Sequence, residues 1–479
     1  MLFLLALPVL VGNQACAACH ADIAAEYSKT PMAQTSGHIT QVPSGTFRHA
    51  ASGTQYQVES SGAVRLSRGA TIGERVLQYF IGSGAEGRSY LWQREGFLFE
   101  APLTWYARTK AWAASPGYEA DRQSRWNRAV EPSCLFCHSS GAKWREGTEN
   151  RYDDPPFAEN GVACERCHGP GSLHVQGKAK MVNPAKLAPS QRDSVCAQCH
   201  LSGESRIVRA GKRLDEFRPG EVISDFAAYF VRDEPAPLNV NSHVEKLALS
   251  MCKRASGDKL WCGSCHDPHE VPAPAERAAY FRGKCLSCHQ TSQCDRGFDC
   301  ASCHMPKSTA ADAHGVFTDH SIPRVPRKGS TVSSWRLRGF FNAKTADRDL
   351  GLAYAEVAAR TRDARQRAEA IRLLSAALPD PDAQTQLAFL LEATDPKRAV
   401  TLYEASLRQK PGQALALVNL GRLLGSAGDL DRAIALWRDA LGRNPCLEQA
   451  GSNLQIALRA KGDASGADAV RESQRSCVF

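Results

Sequence analysis

Fourteen of the 18 cysteines fall in seven copies of one pattern, Cys-x-x-Cys-His. The copies are Cys16/Cys19/His20, Cys134/Cys137/His138, Cys164/Cys167/His168, Cys196/Cys199/His200, Cys262/Cys265/His266, Cys285/Cys288/His289 and Cys300/Cys303/His304. Two thiols at this spacing reach the two vinyl groups on one edge of a porphyrin, and the adjacent histidine then reaches the iron as its proximal ligand. The pattern predicts seven covalent c-type haems, numbered here first to seventh in chain order.

Zinc sites and redox disulfides are the competing interpretations of paired cysteines. Zinc takes four ligands and gives no reason for a histidine after every second cysteine. A thioredoxin-like motif occurs once, near a junction between a strand and a helix. Seven copies favour haem, and a zinc array stays as the alternative.

The remaining seven histidines are candidates for the second axial ligand of each iron: His38, His49, His174, His243, His269, His314 and His320. No histidine occurs after residue 320. An iron with two histidine ligands is low-spin and lower in potential than one with histidine and methionine. Substitutes are available in Met32, Met181 and Met251. An iron that lacks its second ligand becomes a candidate substrate site.

Two of these histidines lie too close to a motif to serve its own iron. His269 follows His266 by three residues, and such a segment spans at most about 10 Å. This is too short to pass around a porphyrin edge, so His269 serves a neighbouring haem or none. The same reasoning applies, with less force, to His174, which follows His168 by six residues.

The cysteine content and the apolar N-terminus predict an exported protein. Thioethers and disulfides belong to oxidising compartments. Residues 1–12 have the length of a signal-peptide h-region and are too short to span a bilayer, and no other stretch is long enough. We expect a periplasmic or extracellular protein that does not span a membrane.

The formal net charge of +9 is a weak argument for nucleic-acid binding. Seven haems carry about fourteen propionates, which bring the net charge of the loaded protein to roughly −5. Basic side chains are then partners of propionates or solvated surface. We therefore expect redox proteins, and no nucleic acid, as partners.

The chain divides by composition into several parts. Residues 13–124 carry the first haem and a small β-rich module, with period-two segments at 55–60, 63–66, 75–81, 89–94 and 97–100 and a hairpin turn at Glu95-Gly96. Residues 125–322 carry six haems on short helices and loops, because porphyrins there supply apolar surface that side chains do not. Residues 323–348 form a basic linker.

The last part, residues 349–479, has a repeat of 34 residues. Asn419-Leu420-Gly421 recurs as Asn453-Leu454-Gln455, and Pro411 recurs as Pro445. This is the tetratricopeptide period, and it predicts an all-α solenoid of three and a half to four repeats. The predicted fold class is thus multidomain: a haem-cored cytochrome with little regular structure, a small antiparallel β module and a helical solenoid.

Four cysteines lie outside the motifs, and two disulfides are predicted among them. Cys446 opens the first helix of the last repeat and Cys477 closes its second helix, and these two ends meet in a helix hairpin. A bond there would staple a terminal repeat that lacks a neighbour on one side. Cys252 and Cys294 flank the fifth and sixth motifs, and a bond between them would clamp those haems. Free thiols are the alternative for both pairs.

At CERCHGPGSLH, CHDPH and DCASCHMPK the sequence resembles the multihaem cytochrome c superfamily that includes the tetrahaem electron carrier serving hydroxylamine oxidoreductase. With TPMAQTSG and its appended repeats, it is similar to exported proteins that join such a domain to helical repeats. The resemblance covers about 13–322 and 349–479. It implies electron transfer through haems with mainly two histidine ligands. Relatives include nitrite and hydroxylamine enzymes, but no motif here ends in lysine and no crosslinking tyrosine is identifiable.

These observations predict an exported heptahaem electron-transfer protein whose repeats dock it to a partner or to a second copy. One alternative is an oxidoreductase that acts on a small nitrogen, sulfur or oxygen species at one five-coordinate iron, expected at the first haem. The other is a scaffold in which the solenoid carries the biological role and the haems serve as core.

Overall fold

The computed structural model describes residues 9–232, 242–290, 299–309, 316–324, 334–341 and 345–478. Along the chain lie a β-rich module, a region of short helices that carries most of the Cys-x-x-Cys-His motifs, and a region of paired helices. His314, Cys294 and residues 1–8 of the predicted signal peptide lie outside the described residues. The predicted bond between Cys252 and Cys294 therefore stays a prediction.

The β-rich module contains two antiparallel sheets. Its strands are β1 (Ser36–His38), β2 (Gly45–Arg48), β3 (Gln55–Val58), β4 (Ala63–Arg68), β5 (Thr71–Val76), β6 (Tyr79–Ile81), β7 (Gly87–Arg94), β8 (Phe97–Tyr106), β9 (Ala111–Ala114) and β10 (Arg128–Ala129). One sheet has the order β2-β3-β4-β5, and the other has the order β1-β6-β7-β8-β10 with β9 paired to β8. The predicted antiparallel module is confirmed.

The turn between β7 and β8 is the predicted hairpin. Glu95 and Gly96 both have positive φ, 51° and 85°, as a type I′ turn requires. Two strands differ from prediction. Residues 75–81 are divided between β5 and β6, because the chain changes sheets at Leu77, which is buried. β8 runs on to Tyr106, and most of its residues are buried, so period-two alternation does not mark its length.

Short helices occur at or near the motifs. They are α1 (Asn13–Ala17), α2 (Ala21–Tyr27), α3 (Pro132–His138), α4 (Glu165–His168), α5 (Ser172–Val175), α6 (Pro189–His200), α7 (His243–Leu249), α8 (Met251–Ser256), α9 (Arg277–Leu286) and α10 (Cys300–His304). Three antiparallel pairs of strands accompany them: β11 (Ser140–Trp144) with β12 (Tyr152–Glu159), β13 (Ser205–Val208) with β14 (Ala227–Arg232), and β15 (Lys307–Thr309) with β16 (Val316–Thr318).

Part of the predicted linker 323–348 is a strand. β17 (Leu337–Gly339) pairs antiparallel with β14, so that the sheet has the order β13-β14-β17. Leu337 is buried and belongs to the same apolar cluster as Phe230 of β14 and the helices that follow. The sheet thus joins the motif-bearing region to the helical region.

The helical region consists of α11 (Asp347–Thr361), α12 (Ala364–Ala376), α13 (Pro381–Leu391), α14 (Pro396–Gln409), α15 (Ala414–Ser426), α16 (Leu430–Arg443), α17 (Glu448–Ala460) and α18 (Ala464–Val478). Four helices begin after an aspartate whose carboxylate accepts a backbone N–H of the first turn: Asp363, Asp380, Asp395 and Asp429. The starts of α15 and α17, and of α16 and α18, are each 34 residues apart. Among the described residues, no helix has both the length and the apolar character needed to cross a bilayer.

Both ends of the helical region bind the rest of the chain. At one end, Arg209 pairs with Asp349 of α11 at 3.0 Å. At the other, the predicted Cys446–Cys477 disulfide is present, and the Trp126 N–H donates to the Cys477 carbonyl at 2.9 Å. The expectation that the last repeat lacks a neighbour is wrong, because its end packs on the β-rich module.

Candidate haem centres

The motifs fold as single helical turns. The histidine N–H donates to the carbonyl of the first cysteine in the first, third, fifth and sixth motifs, at 2.9, 3.0, 2.9 and 3.0 Å. Residues three and four apart in a helical turn share a face. Both thiols and the imidazole therefore lie on one side of the turn. All fourteen motif cysteines are free thiols in the structure. This arrangement fits the attachment of haem c.

Three motif histidines are oriented through Nδ1. His168 donates from Nδ1 to the Val182 carbonyl at 2.8 Å, and His304 donates to the Pro323 carbonyl at 3.1 Å. His138 Nδ1 lies 2.8 Å from the Thr35 hydroxyl. A carbonyl oxygen only accepts, so Nδ1 carries the proton and Nε2 keeps a lone pair for a metal.

Burial keeps two of these imidazoles neutral. It lowers the pKa of His138 and the pKa of His200. Neutral imidazole is the form that binds iron. These two motif histidines thus fit proximal ligation in protonation as well as in position.

Other motif side chains are exposed. They are Cys19, Cys288 and Cys303, together with the predicted proximal ligands His20, His266 and His289. All but His266 belong to the first, sixth and seventh motifs, whose helices α1, α9 and α10 contain no buried residue. No side-chain core surrounds these short helices, and the expectation that porphyrins supply the apolar surface there stays a prediction. Haem attachment at Cys19, Cys288 and Cys303, and iron ligation by His289, stay predictions.

Three predicted second ligands face a motif histidine. His174 lies opposite His20, with ring centroids 6.5 Å apart and planes 14° apart. His269 lies opposite His168 at 5.9 Å and 12°. His320 lies opposite His266 at 6.2 Å and 33°. In none of these pairs does the second histidine lie in the segment that directly follows its partner's motif.

His243 lies in a closer cluster. Its ring centroid is 5.1 Å from that of His200 and 4.7 Å from that of His320. Burial, reinforced by these neighbours, lowers the pKa of His243 to about 3. The ring is therefore neutral, but these two contacts are tighter than the three facing pairs.

Thiols of different motifs contact one another. Hydrogen-bonding contacts join the first motif to the third, the second to the fourth, the fourth to the fifth and the sixth to the seventh, through Cys16 and Cys164, Cys137 and Cys199, Cys196 and Cys262, and Cys285 and Cys300. Cys167 of the third motif is close enough to Cys199 of the fourth to interact with it electrostatically, and so is Cys265 of the fifth to Cys288 of the sixth. Taken together, these interactions link the seven motifs in one series, with the fourth at its branch point.

Comparison with known proteins agrees with this geometry. A family model described as cytochrome c554 and c-prime matches residues 104–169, which contain the second and third motifs. A "Multiheme cytochrome MtrA" of Shewanella baltica (strain OS185) is 27% identical over 176 residues, which cover 33% of this chain and 52% of that protein. These matches support a multihaem c-type cytochrome. The chain spans about half the length of this curated relative.

Two solved structures are distantly similar. "Crystal Structure of Outer Cell Wall Cytochrome OcwA" covers 94% of the present chain and 99% of its own, with a TM-score of 0.42 and 14% identity. "Crystal structure of MamA" covers 26% of the present chain and 77% of its own, with a TM-score of 0.24 and 18% identity. Neither likeness is close enough to place the fold.

Two other candidate ligands lie in the β-rich module. His49 is only 2% exposed, and both ring nitrogens are hydrogen-bonded: Nδ1 with the hydroxyls of Ser52 and Ser124 at 2.8 Å, and Nε2 with the Tyr118 carbonyl at 2.9 Å. These contacts leave no lone pair for iron. His38 lies against the rings of Tyr79 and Phe157, at 4.9 and 6.0 Å, and its role stays a prediction.

Sequence reasoning missed Glu165. This buried carboxylate accepts the N–H groups of Val11, Gly12 and Gly171 at 2.7 to 3.1 Å. It thereby binds the chain before the first motif to the third motif, inside which it lies. The sequence shows only that Glu165 lies between the two cysteines of CERCH. An exposed residue can occupy the same position, so the sequence does not reveal that Glu165 is buried. Residues 9–12 of the predicted signal peptide are therefore part of this packing.

Proposed function

We propose that the cytochrome carries seven covalent haems and conducts electrons along them outside the cytoplasm. The connected series of seven motifs is the main support. Each haem supplies an iron that accepts and donates one electron. The chain attaches the porphyrins, orients the proximal imidazoles through Nδ1 and brings thiols of neighbouring motifs together. Since thioethers lie at porphyrin edges, these contacts favour short edge-to-edge distances between haems.

Exposed motifs lie at two ends of the series, where electrons can enter and leave. The first and seventh motifs are ends of the connected series, and each has an exposed cysteine, Cys19 and Cys303. A haem attached there presents an edge near the protein surface, within reach of a docked redox partner. The sixth motif, next to the seventh in the series, is also exposed, so a partner at this end can reach either haem.

Export is part of the proposal. Thioether formation and the Cys446–Cys477 disulfide both suit an oxidising compartment. We place the cytochrome in the periplasm or outside the cell, with redox proteins as electron donor and acceptor. The helical region, whose ends are held by the rest of the chain, offers its outer surface to such a partner or to a second copy. Its assignment as tetratricopeptide repeats belongs to this proposal.

The branch point gives a direct test of conduction. Cys196→Ser/Cys199→Ser removes the fourth haem, whose motif contacts the second, third and fifth motifs. After rapid partial reduction, electrons should equilibrate slowly and in separate phases. The matched control, Cys134→Ser/Cys137→Ser, removes the second haem at the end of a branch and should leave one fast phase. Equal equilibration in both variants would contradict the proposed series, as would fewer than seven haems in the parent protein by mass spectrometry.

A second candidate function has one observation in its favour. Because both ring nitrogens of His49 are engaged, at most six candidate histidines remain as second ligands for seven irons. An iron without a second histidine can bind a small nitrogen, sulfur or oxygen species and exchange electrons with it. The first haem is a poor place for this site, since His174 faces His20.

Electron paramagnetic resonance of the oxidised protein separates the two functions. High-spin ferric iron at about one haem per chain that responds to nitrite, hydroxylamine or sulfite would favour the oxidoreductase. Low-spin iron at all seven haems would exclude it and leave conduction alone.

A further inference from the structure

We infer that three irons are held by histidine pairs that join different segments of the chain: His20 with His174, His168 with His269, and His266 with His320. This inference rests on the proposed haem content and specifies which second ligand serves which motif. It makes the segment after the third motif a ligand donor to the first haem, and the segment after the fifth motif a ligand donor to the third haem.

The spacing of the rings supports the pairing. Bonds of about 2 Å from one metal to the Nε2 atoms of two opposed imidazoles place the ring centroids roughly 6 Å apart. The three pairs lie at 6.5, 5.9 and 6.2 Å. Two imidazoles that only stack on each other have no reason to stay so far apart. The gap between each pair of rings has the thickness of one porphyrin with its iron.

The second ring nitrogen of each donor is engaged away from the gap. His174 donates from Nδ1 to the Ala179 carbonyl at 3.1 Å, and His320 donates to the Thr318 carbonyl at 3.0 Å. His269 Nδ1 lies 3.3 Å from the Asp267 carboxylate. The hydrogen bonds of His174 and His320 fix the tautomer that presents Nε2 to a metal. His168, on the opposite side of its gap, is held in the same way by the Val182 carbonyl.

The same criteria exclude other histidine contacts. The rings of His200 and His243 are 5.1 Å apart, and those of His243 and His320 are 4.7 Å apart, which is too close for an iron between them. His49 has the opposite defect, since both of its nitrogens are already bonded. Spacing and a free Nε2 together thus select the three pairs from all the histidine contacts described.

The pairs make each iron a crosslink between distant segments. Residues 20 and 174, 168 and 269, and 266 and 320 are far apart in the chain. The segment that contains His168 and His174 binds both the third haem and the first haem. Attachment of one haem therefore positions the ligand of the other. This explains how a region with little regular structure keeps a fixed series of motifs.

The pairing is tested with ligand variants in the full, haem-loaded protein. His174→Ala should convert one low-spin haem per chain to high-spin in the oxidised spectrum, with an unchanged haem count by mass spectrometry. The same change in a Cys16→Ser/Cys19→Ser background, which lacks the first haem, should add no high-spin iron. In a Cys164→Ser/Cys167→Ser background, which lacks the third haem, it should still add one. The reverse pattern would overturn the pairing of His174 with His20.

Conservative variants separate ligation from folding. His174→Met and His269→Met should keep every iron low-spin and raise the potential of one haem each, because methionine ligation raises it. His49→Gln should leave the spectrum and the potentials unchanged. A spectrum that no His174 or His269 variant alters would refute the pairing, while seven haems that still conduct would leave the proposed function intact.

Discussion

The segment from 242 to 324 and the helical region from 347 to 478 are held together by different means. Among the described residues of the first segment, no hydrophobic side chain is buried, although three motifs lie there. The helical region contributes most of a continuous cluster of buried leucine and alanine. Since burial of apolar side chains is the main force that folds a chain, the first segment needs apolar surface from elsewhere. The porphyrins are suited to supply it.

The largest expected effect is therefore the loss of structure in one region alone when haem is withheld. In protein made without haem attachment, we expect backbone amides of 242–324 to exchange at nearly unprotected rates. Amides in the buried centres of α13 to α16 should keep protection close to that of the loaded protein. Hydrogen exchange with mass spectrometry measures both in one sample.

Protection of 242–324 without haem would show that side chains alone stabilise this segment. The proposed difference between the two regions would then be wrong. Loss of protection in both regions would show that the helices depend on the haem-bearing part. The matched control is the loaded protein under the same conditions, in which both regions should be protected.

A second prediction tests the side-chain core of the helices. Leu387 of α13 is 0% exposed, and its truncation leaves a cavity. Leu387→Ala should lower the free energy of unfolding of the helical region by about 2–5 kcal/mol. Phe389→Ala, in the same helix but 43% exposed, is the control and should cost much less. Denaturant unfolding followed by far-ultraviolet circular dichroism measures both, and equal losses would contradict a core at Leu387.

Features set by neighbouring residues were predictable. The motif turns, the Glu95-Gly96 hairpin and the 34-residue spacing of helix starts depend on short stretches of sequence. The Cys446–Cys477 bond follows from the ends of one helix hairpin. The division of residues 75–81 into two strands was harder to predict, because it depends on the burial of Leu77 in the folded chain.

Features set by distant contacts were not predictable. The short spacing from His266 excludes the iron of the fifth motif as a partner of His269. It does not identify His168, of the third motif, as the histidine that His269 faces. His49 is of the residue type that binds iron. Only in the folded chain do Ser124 and the Tyr118 carbonyl bond to its two ring nitrogens. The exposure of His289 is likewise invisible in its motif, which has the same pattern as the motifs of the half-buried His138 and His200. Long-range pairing is a property of the fold and leaves little trace in local sequence.

The third prediction concerns the disulfide, which closes a loop across the last two helices. Cys446→Ser/Cys477→Ser should lower the stability of the helical region by about 2–4 kcal/mol, since the loop spans 31 residues. Reduction of the parent protein should cost a similar amount, which controls for the substitutions. Haem content by mass spectrometry should not change. Stability unaffected by either treatment would show that the β-rich module alone holds this end.

The smallest expected effect tests how the β-rich module holds α18. Arg94 donates to the Ser473 carbonyl at 2.8 Å and to the Ser473 hydroxyl at 3.1 Å, in the second half of α18. Arg94→Ala should lower the free energy of opening of α18 by about 1.5–3 kcal/mol, because hydrogen bonds from a charged group contribute that much. Arg475→Ala, on the same helix, removes only an exposed pair with Glu472 and should have little effect. Hydrogen exchange of the α18 amides measures both. If the two variants behave alike, the end of the helical region is held by its own disulfide and core, and its contact with the haem-bearing part contributes little to stability.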